Sequence, residues 1–191
     1  MTDAVSICNL ALQRVGAKAI SSLTEDTTAG RACNRVYAQA RDSELRAHDW
    51  SFARERVQVA ADSTDPIFGA AKRYLLPSDC LRILPTNGTG ETPVQDDFQV
   101  EGLYFITDAG SPVNLVYLKR VTDEETFDSL FVELLIARIA MDIAEKVTQS
   151  NKKKEEATFH YREVRKEARR MNAFERPPQD PPVDSWVNAR L

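Results

Sequence analysis

Apolar side chains recur every three or four residues toward both ends of this sequence and every second residue in parts of its middle. Near the start, Ala4, Ile7, Cys8, Ala11 and Val15 share one helical face, while Asn9, Gln13 and Arg14 fall elsewhere. Thr2 or Asp3 can cap that helix, and Gly16 stands where a left-handed residue ends one. After a short link containing Ile20 and Leu23, Thr27 or Thr28 opens a second helix. Its apolar positions are Ala29, Ala32, Cys33, Val36 and Ala40, and it is expected to run to about Asp49. Trp50 and Phe52 follow, two rings expected to cover the end of a core.

The pattern then changes. Arg56-Val57-Gln58-Val59 alternates with period two, Phe98 to Val100 and Leu103 to Thr107 flank a Glu101-Gly102 turn signal, and Asn114 to Leu118 follows the turn Asp108-Ala109-Gly110. The stretch Asn87-Gly88-Thr89-Gly90-Glu91-Thr92-Pro93 has no apolar period and predicts an exposed loop.

Helical period returns with Phe127, Leu130, Phe131, Leu134, Leu135, Ile139, Ile143, Ala144 and Val147, a wide core-facing stripe preceded by Asp123, Glu124 and Glu125. Beyond Ser150-Asn151, the residues Ala157, Tyr161, Val164, Ala168 and Met171 step four, three, four and three, a narrow seam suited to one neighbouring helix. Pro177, Pro178, Pro181 and Pro182 preclude a regular helix at the end of the chain, where Phe174, Trp186, Val187 and Leu191 are unusual choices for a solvated tail. The order predicts an α+β protein, mainly a helical bundle with a small inserted antiparallel β subdomain and an extended C-terminal arm. The expected parts are residues 1–52 and 119–172 for the helices, 53–118 for the insertion and 173–191 for the arm.

Composition narrows the function. The formal charge is -4, which argues against a protein devoted to wrapping DNA or coating a membrane surface. The longest apolar stretch, residues 130–147, is broken by Glu133, Arg138, Asp142, Glu145 and Lys146 and cannot span a bilayer. The N-terminus has no basic region before an apolar one, so no signal peptide is expected. Cys8, Cys33 and Cys80 form no metal-binding or disulfide pattern and are expected to be buried thiols.

Chemistry has little to start from. The chain holds two histidines, His48 and His160, outside any metal motif, so neither a metal nor another cofactor is expected. His48 and Asp49 beside Ser51 are neighbours at a helix end, which does not align nucleophile, base and orienter. Gly88-Thr89-Gly90 is too short for a phosphate-binding loop. Charge is segregated, however. Residues 150–172 carry eight Lys or Arg against four Glu, net +4, and the rest of the chain carries 17 against 25, net -8. Lys152, Lys153, Lys154, Arg162, Arg165, Lys166, Arg169 and Arg170 form either a solvated face or a contact for an acidic subunit or a phosphate backbone.

Several segments together resemble the tail tubular protein A family, the head-to-tail adaptors of short-tailed bacteriophages. They are Ser6-Ile7-Cys8-Asn9-Leu10-Ala11-Leu12 with Val15-Gly16, Ile20-Ser21-Ser22-Leu23-Thr24-Glu25, Tyr37, Arg41-Asp42 and His48-Asp49-Trp50-Ser51-Phe52-Ala53. Leu76-Pro77-Ser78-Asp79-Cys80-Leu81-Arg82 and Phe127 with its helix complete the set, which covers residues 3–150. Asp49 stands where the family often has Pro. The resemblance implies a structural protein rather than an enzyme, a homo-oligomeric ring of about twelve copies between portal and tail nozzle. It implies a place at the head-tail junction of a virion made in the bacterial cytoplasm, around a channel that DNA crosses without specific binding. On this reading Phe174, Trp186, Val187, Arg190 and Leu191, with Arg165 and Arg169, are expected to meet the portal. Asn87, Gly88, Thr89, Gly90 and Glu91 are expected to meet the nozzle. The rival readings are a nucleic-acid-binding module using the basic C-terminal helix and a phage-associated cell-wall hydrolase.

Overall fold

The computed structural model describes residues 3–84 and 98–175. These form an α+β protein of two compact units, one comprising residues 3–54 with 118–173 and the other built on residues 55–117.

The helical unit contains α1 (Ala4–Val15), α2 (Thr28–Ala47), α3 (Ser129–Thr148) and α4 (Asn151–Phe174). Caps set the boundaries. The Asp3 carboxylate accepts the Ser6 N–H at 2.8 Å, and Gly16, at φ 75°, donates back to the last carbonyls of α1. Thr27 accepts the Gly30 N–H at 3.0 Å at the start of α2, and Asp128 accepts the Leu130 and Phe131 N–H groups at the start of α3. Helix α2 stops at Ala47, two residues short of expectation, because His48 is already extended. Between α1 and α2, the Asn9 amide bonds both the N–H and the C=O of Ile20, at 2.8 and 3.0 Å, and thereby ties the link to α1.

The core of this unit is made by α1, α2 and α3. Ile7, Cys8, Ala11, Leu12 and Val15 meet Ala32, Cys33, Tyr37 and Ala40, and α3 is buried well beyond one stripe, with Ile136, Ala137 and Ala140 added to the expected positions. Trp50, Phe52, Phe127 and Phe131 form one aromatic group, with ring centroids 5.1–6.2 Å apart in tilted or edge contacts. Trp50 donates its ring N–H to the Glu44 carbonyl at 2.8 Å, which lets the indole be buried without an orphaned donor. Cys8 and Cys33, far apart in sequence, are buried neighbours; their hydrogen bond, followed by burial, pushes the Cys8 thiol far above its ordinary range. Cys80 is half-buried.

The β unit holds two three-stranded antiparallel sheets. One has the order β1-β6-β3, with β1 (Arg54–Val59), β6 (Val113–Lys119) and β3 (Cys80–Ile83). The other has the order β2-β5-β4, with β2 (Lys72–Leu75), β5 (Tyr104–Thr107) and β4 (Phe98–Glu101). Tyr74 pairs with Phe105, and Phe105 with Val100; Gly102, at φ 63°, makes the turn between β4 and β5. Leu103 belongs to that turn rather than to the strand expected to include it. Tyr74, Ile83, Phe105, Val113, Leu115 and Tyr117 from both sheets share one core, with the Tyr74 and Phe105 rings stacked at 4.9 Å. Strands β2 and β3 were not foreseen, because Lys72-Arg73-Tyr74-Leu75 and Cys80-Leu81-Arg82-Ile83 are too short to display a period.

Candidate functional site

Helix α4 has two chemically different sides. Its inner side is a polar seam. Tyr161, Ala168 and Asn172 are its buried residues, and Asn172 replaces Met171, which the four-three spacing placed there but which is exposed. A narrow apolar seam would bind by burial; here hydrogen bonds do most of the joining.

The first node is Glu44 of α2, which is only 2% exposed. Its Oε1 accepts the Tyr161 hydroxyl at 2.6 Å and the Arg138 guanidinium at 3.1 Å, and Arg138 also bonds Asp142 at 2.9 Å. The Arg138 guanidinium lies 5.7 Å from the Tyr161 ring centre, so one cation serves two carboxylates and an aromatic face. Burial, followed by the Glu44 hydrogen bond, raises the Tyr161 hydroxyl above its ordinary range and keeps it protonated as a donor. The second node is Asn172. Its Oδ1 accepts the Ser51 N–H at 3.0 Å, and its Nδ2 donates to the Asp49 carbonyl at 2.8 Å and to His48 Nε2 at 3.0 Å. His48, Asp49 and Ser51 are thus gathered by one amide rather than arranged as a relay. Arg14 donates to His160 Nε2 at 2.8 Å and pairs with Glu133, beside a cavity of about 270 Å³ whose other lining residues include Lys153 and Glu156.

The outer side of α4 carries a basic stripe among exposed Glu155, Glu156, Glu163 and Glu167. Arg162, Lys166 and Arg170 are exposed and spaced by four, so they form one stripe on the side opposite Tyr161 and Ala168. Arg165 and Arg169, grouped with them in the sequence reading, turn toward the unit instead. Arg165 lies 6.0 Å from the Tyr161 ring centre and Arg169 donates to the Ala47 carbonyl at 3.3 Å. Phe159, 68% exposed, stands one turn before Arg162. Beside it is a shallow depression of about 520 Å³ lined by Asn151, Lys154, Glu155, Thr158, Phe159 and Arg162.

Phe174, the last residue of α4, is exposed. Trp186, Val187, Arg190 and Leu191 lie outside the described residues, as do Asn87, Gly88, Thr89, Gly90 and Glu91. Ile67 and Phe68, which the alternation rule passed over, are the most exposed large apolar side chains described, at 97% and 87%. Their only signal in sequence is a two-residue apolar step between Pro66 and Gly69. Among the described residues, no three His, Cys, Asp or Glu side chains are grouped to hold a metal ion, and no helix is long and apolar enough to cross a membrane.

The described residues form an α+β chain with a helix hydrogen-bonded to its own unit on one side and carrying the stripe Arg162, Lys166 and Arg170 on the other. Comparison with known proteins adds no narrower assignment, since no family model matches the chain and no curated protein does.

Proposed function

We propose that the chain is a structural head-to-tail adaptor of a short-tailed bacteriophage, forming a ring between portal and tail nozzle around the path of the DNA. The observation that carries this reading is the use made of the residues behind the resemblance. Asn9 ties a link to α1, Tyr37 donates to Glu124 at 2.9 Å, and Trp50, Phe52 and Phe127 build the aromatic group. Asp79 accepts the Tyr117 hydroxyl at 3.1 Å within the β unit. These residues hold a frame together, as expected when a sequence pattern serves assembly rather than turnover. The two-unit α+β organisation accords with that role.

In this reading the portal is met by Phe174, Trp186, Val187, Arg190 and Leu191, and the nozzle by residues 87–91. DNA passes without being held, because charge outside residues 150–172 is net -8 and repels phosphate. The test is electron microscopy of the chain mixed with the portal protein of the same bacteriophage. Ring density on the portal is expected, and truncation after residue 175 should abolish it while circular dichroism stays unchanged. A portal that remains bare in the presence of the intact chain overturns the adaptor reading. The basic stripe supports a second reading, a nucleic-acid-binding module, which requires tight binding of an oligonucleotide that weakens steeply with salt.

A further inference from the structure

We infer that the outer stripe of α4 is the contact for a second copy of this chain, and that it meets the acid-rich stretch 121–137 of that copy. The inference rests on the adaptor reading only in taking the partner to be an identical chain, and it assigns a surface to each side of the contact.

Charge complementarity carries the argument. Residues 121–137 contain Asp123, Glu124, Glu125, Asp128 and Glu133 and no Lys or Arg. Three of these carboxylates have work inside the helical unit: Glu133 pairs with Arg14, Glu124 accepts from Tyr37, and Asp128 caps α3. Asp123, whose carboxylate also accepts the Glu125 N–H at 3.1 Å, and Glu125 are exposed on the 3-10 turn Glu124–Thr126 and its cap. Among the described residues no ion pair within the chain engages Asp123 or Glu125, and none engages Arg162 or Arg170. Two positive charges on one side and two negative charges on the other therefore have no ion-pair partner among the described residues. Phe159, 68% exposed, adds an aromatic ring at the edge of the stripe.

Two observations favour a protein over a phosphate backbone. Glu155 lines the depression beside Phe159, and Glu163 accepts from Lys166 at 2.9 Å within the stripe, so a continuous phosphate backbone along this face meets carboxylates at both levels, whereas two discrete carboxylates need meet only Arg162 and Arg170. The aromatic component described there is the single Phe159 ring, too little for successive bases to stack on.

The Arg170 end of the stripe and the start of α3 also lie toward the same end of the helical unit. Asn172 is hydrogen-bonded to residues 48–51, and the Trp50 ring contacts Phe131 in the first turn of α3 at 5.2 Å. A contact between different surfaces on one chain is heterologous. When both are at the same level, it repeats by rotation with little rise, the condition for closing a ring rather than growing a filament.

The experiment is sedimentation velocity on four proteins: the native chain, Arg162→Glu with Arg170→Glu, Asp123→Lys with Glu125→Lys, and all four changes together. All four positions are exposed, and circular dichroism checks that each variant is folded. Native association that weakens with added salt is expected, with each paired reversal weakening it at least about tenfold. Each reversed protein alone meets only like charge at the contact, whereas in their mixture every unlike contact is complementary, so the mixture should associate again, as should the fourfold variant. A native chain that stays monomeric up to about 1 mM at low salt overturns the inference. So do reversed proteins that associate as the native chain does, or a mixture of the two that fails to associate. In either of these cases the adaptor reading is still decided separately by the portal experiment. If the α4 reversal abolishes binding of a single-stranded oligonucleotide and leaves self-association untouched, the stripe is a nucleic-acid surface and the inference falls.

Discussion

At the residue scale, helix α2 begins under a constraint that only one side chain type meets. A Cβ built on Gly30 would lie 2.5 Å from the Glu25 carbonyl oxygen and 3.2 Å from the Glu25 Cβ. The loop cannot easily retreat, because the Glu25 carboxylate accepts the Ser21 N–H at 2.8 Å and its hydroxyl at 2.9 Å, contacts that hold this acid below the usual carboxylate range. The Glu25 carbonyl itself accepts the Thr27 N–H at 2.9 Å. Helix propensity favours Ala over Gly by about 1 kcal/mol, whereas overpacking against fixed backbone costs about 1–3 kcal/mol. Gly30→Ala is therefore expected to lower stability, read as a lower urea midpoint at unchanged slope. A midpoint equal to or above the native value would show that the loop yields. Gly16 is different, since its φ of 75° leaves open space around a Cβ and the constraint is backbone conformation alone.

At the scale of elements, α4 is attached through two polar nodes, Glu44 and Asn172, beside its buried Tyr161 and Ala168. Tyr161→Phe removes a hydrogen bond to a buried carboxylate, about 1.5–3 kcal/mol, and leaves Arg138 as the one remaining donor to Glu44 Oε1. Asn172→Ala strips partners from the Ser51 N–H and the Asp49 carbonyl together. Hydrogen exchange should show faster opening of residues 151–174 in both variants, with α1 and the middle of α3 little changed; uniform loss of protection across the helical unit would mean that α4 does not open separately. This seam also marks where the sequence stopped being readable. Caps and three-four spacing located α1, α2 and α3, because burial of apolar faces leaves a periodic trace and Asp3, Thr27 and Gly16 have local reasons to be where they are. Spacing also put a seam on α4 but chose Met171 over Asn172, since period alone reports which residues are apolar and is blind to a buried amide with three partners far away in the chain. Glu44 was invisible for the same reason, its partners being 94 and 117 residues away. Of the candidate surface, the basic residues could be counted from sequence, but the separation of outward Arg162, Lys166 and Arg170 from inward Arg165 and Arg169 needed the packing of Tyr161.

For the whole molecule, a shared chemical device appears in both units: buried tyrosines whose hydroxyls are held protonated. In the helical unit, burial and then Glu124 raise Tyr37, and burial and then Glu44 raise Tyr161. In the β unit, burial raises Tyr74, and burial and then Asp79 raise Tyr117. An unfolded tyrosine loses its proton near pH 10, whereas each of these keeps it to higher pH when folded. The folded state therefore binds more protons than the unfolded one above that point. The stability these groups contribute is complete below pH 10 and is lost as pH rises from there toward their folded values. The slope is one proton per tyrosine, about 1.4 kcal/mol for each pH unit. The melting temperature is expected to fall steeply above about pH 10, and the phenolate absorbance due to these four of the five tyrosines should rise together with unfolding rather than before it. Phenylalanine at Tyr161 removes that proton but also the bond to Glu44, so the Tyr161→Phe chain should begin less stable at neutral pH and decline more gently in alkali. Equal alkaline slopes for the two proteins would mean that Tyr161 ionises as readily folded as unfolded, against its contact with a buried carboxylate.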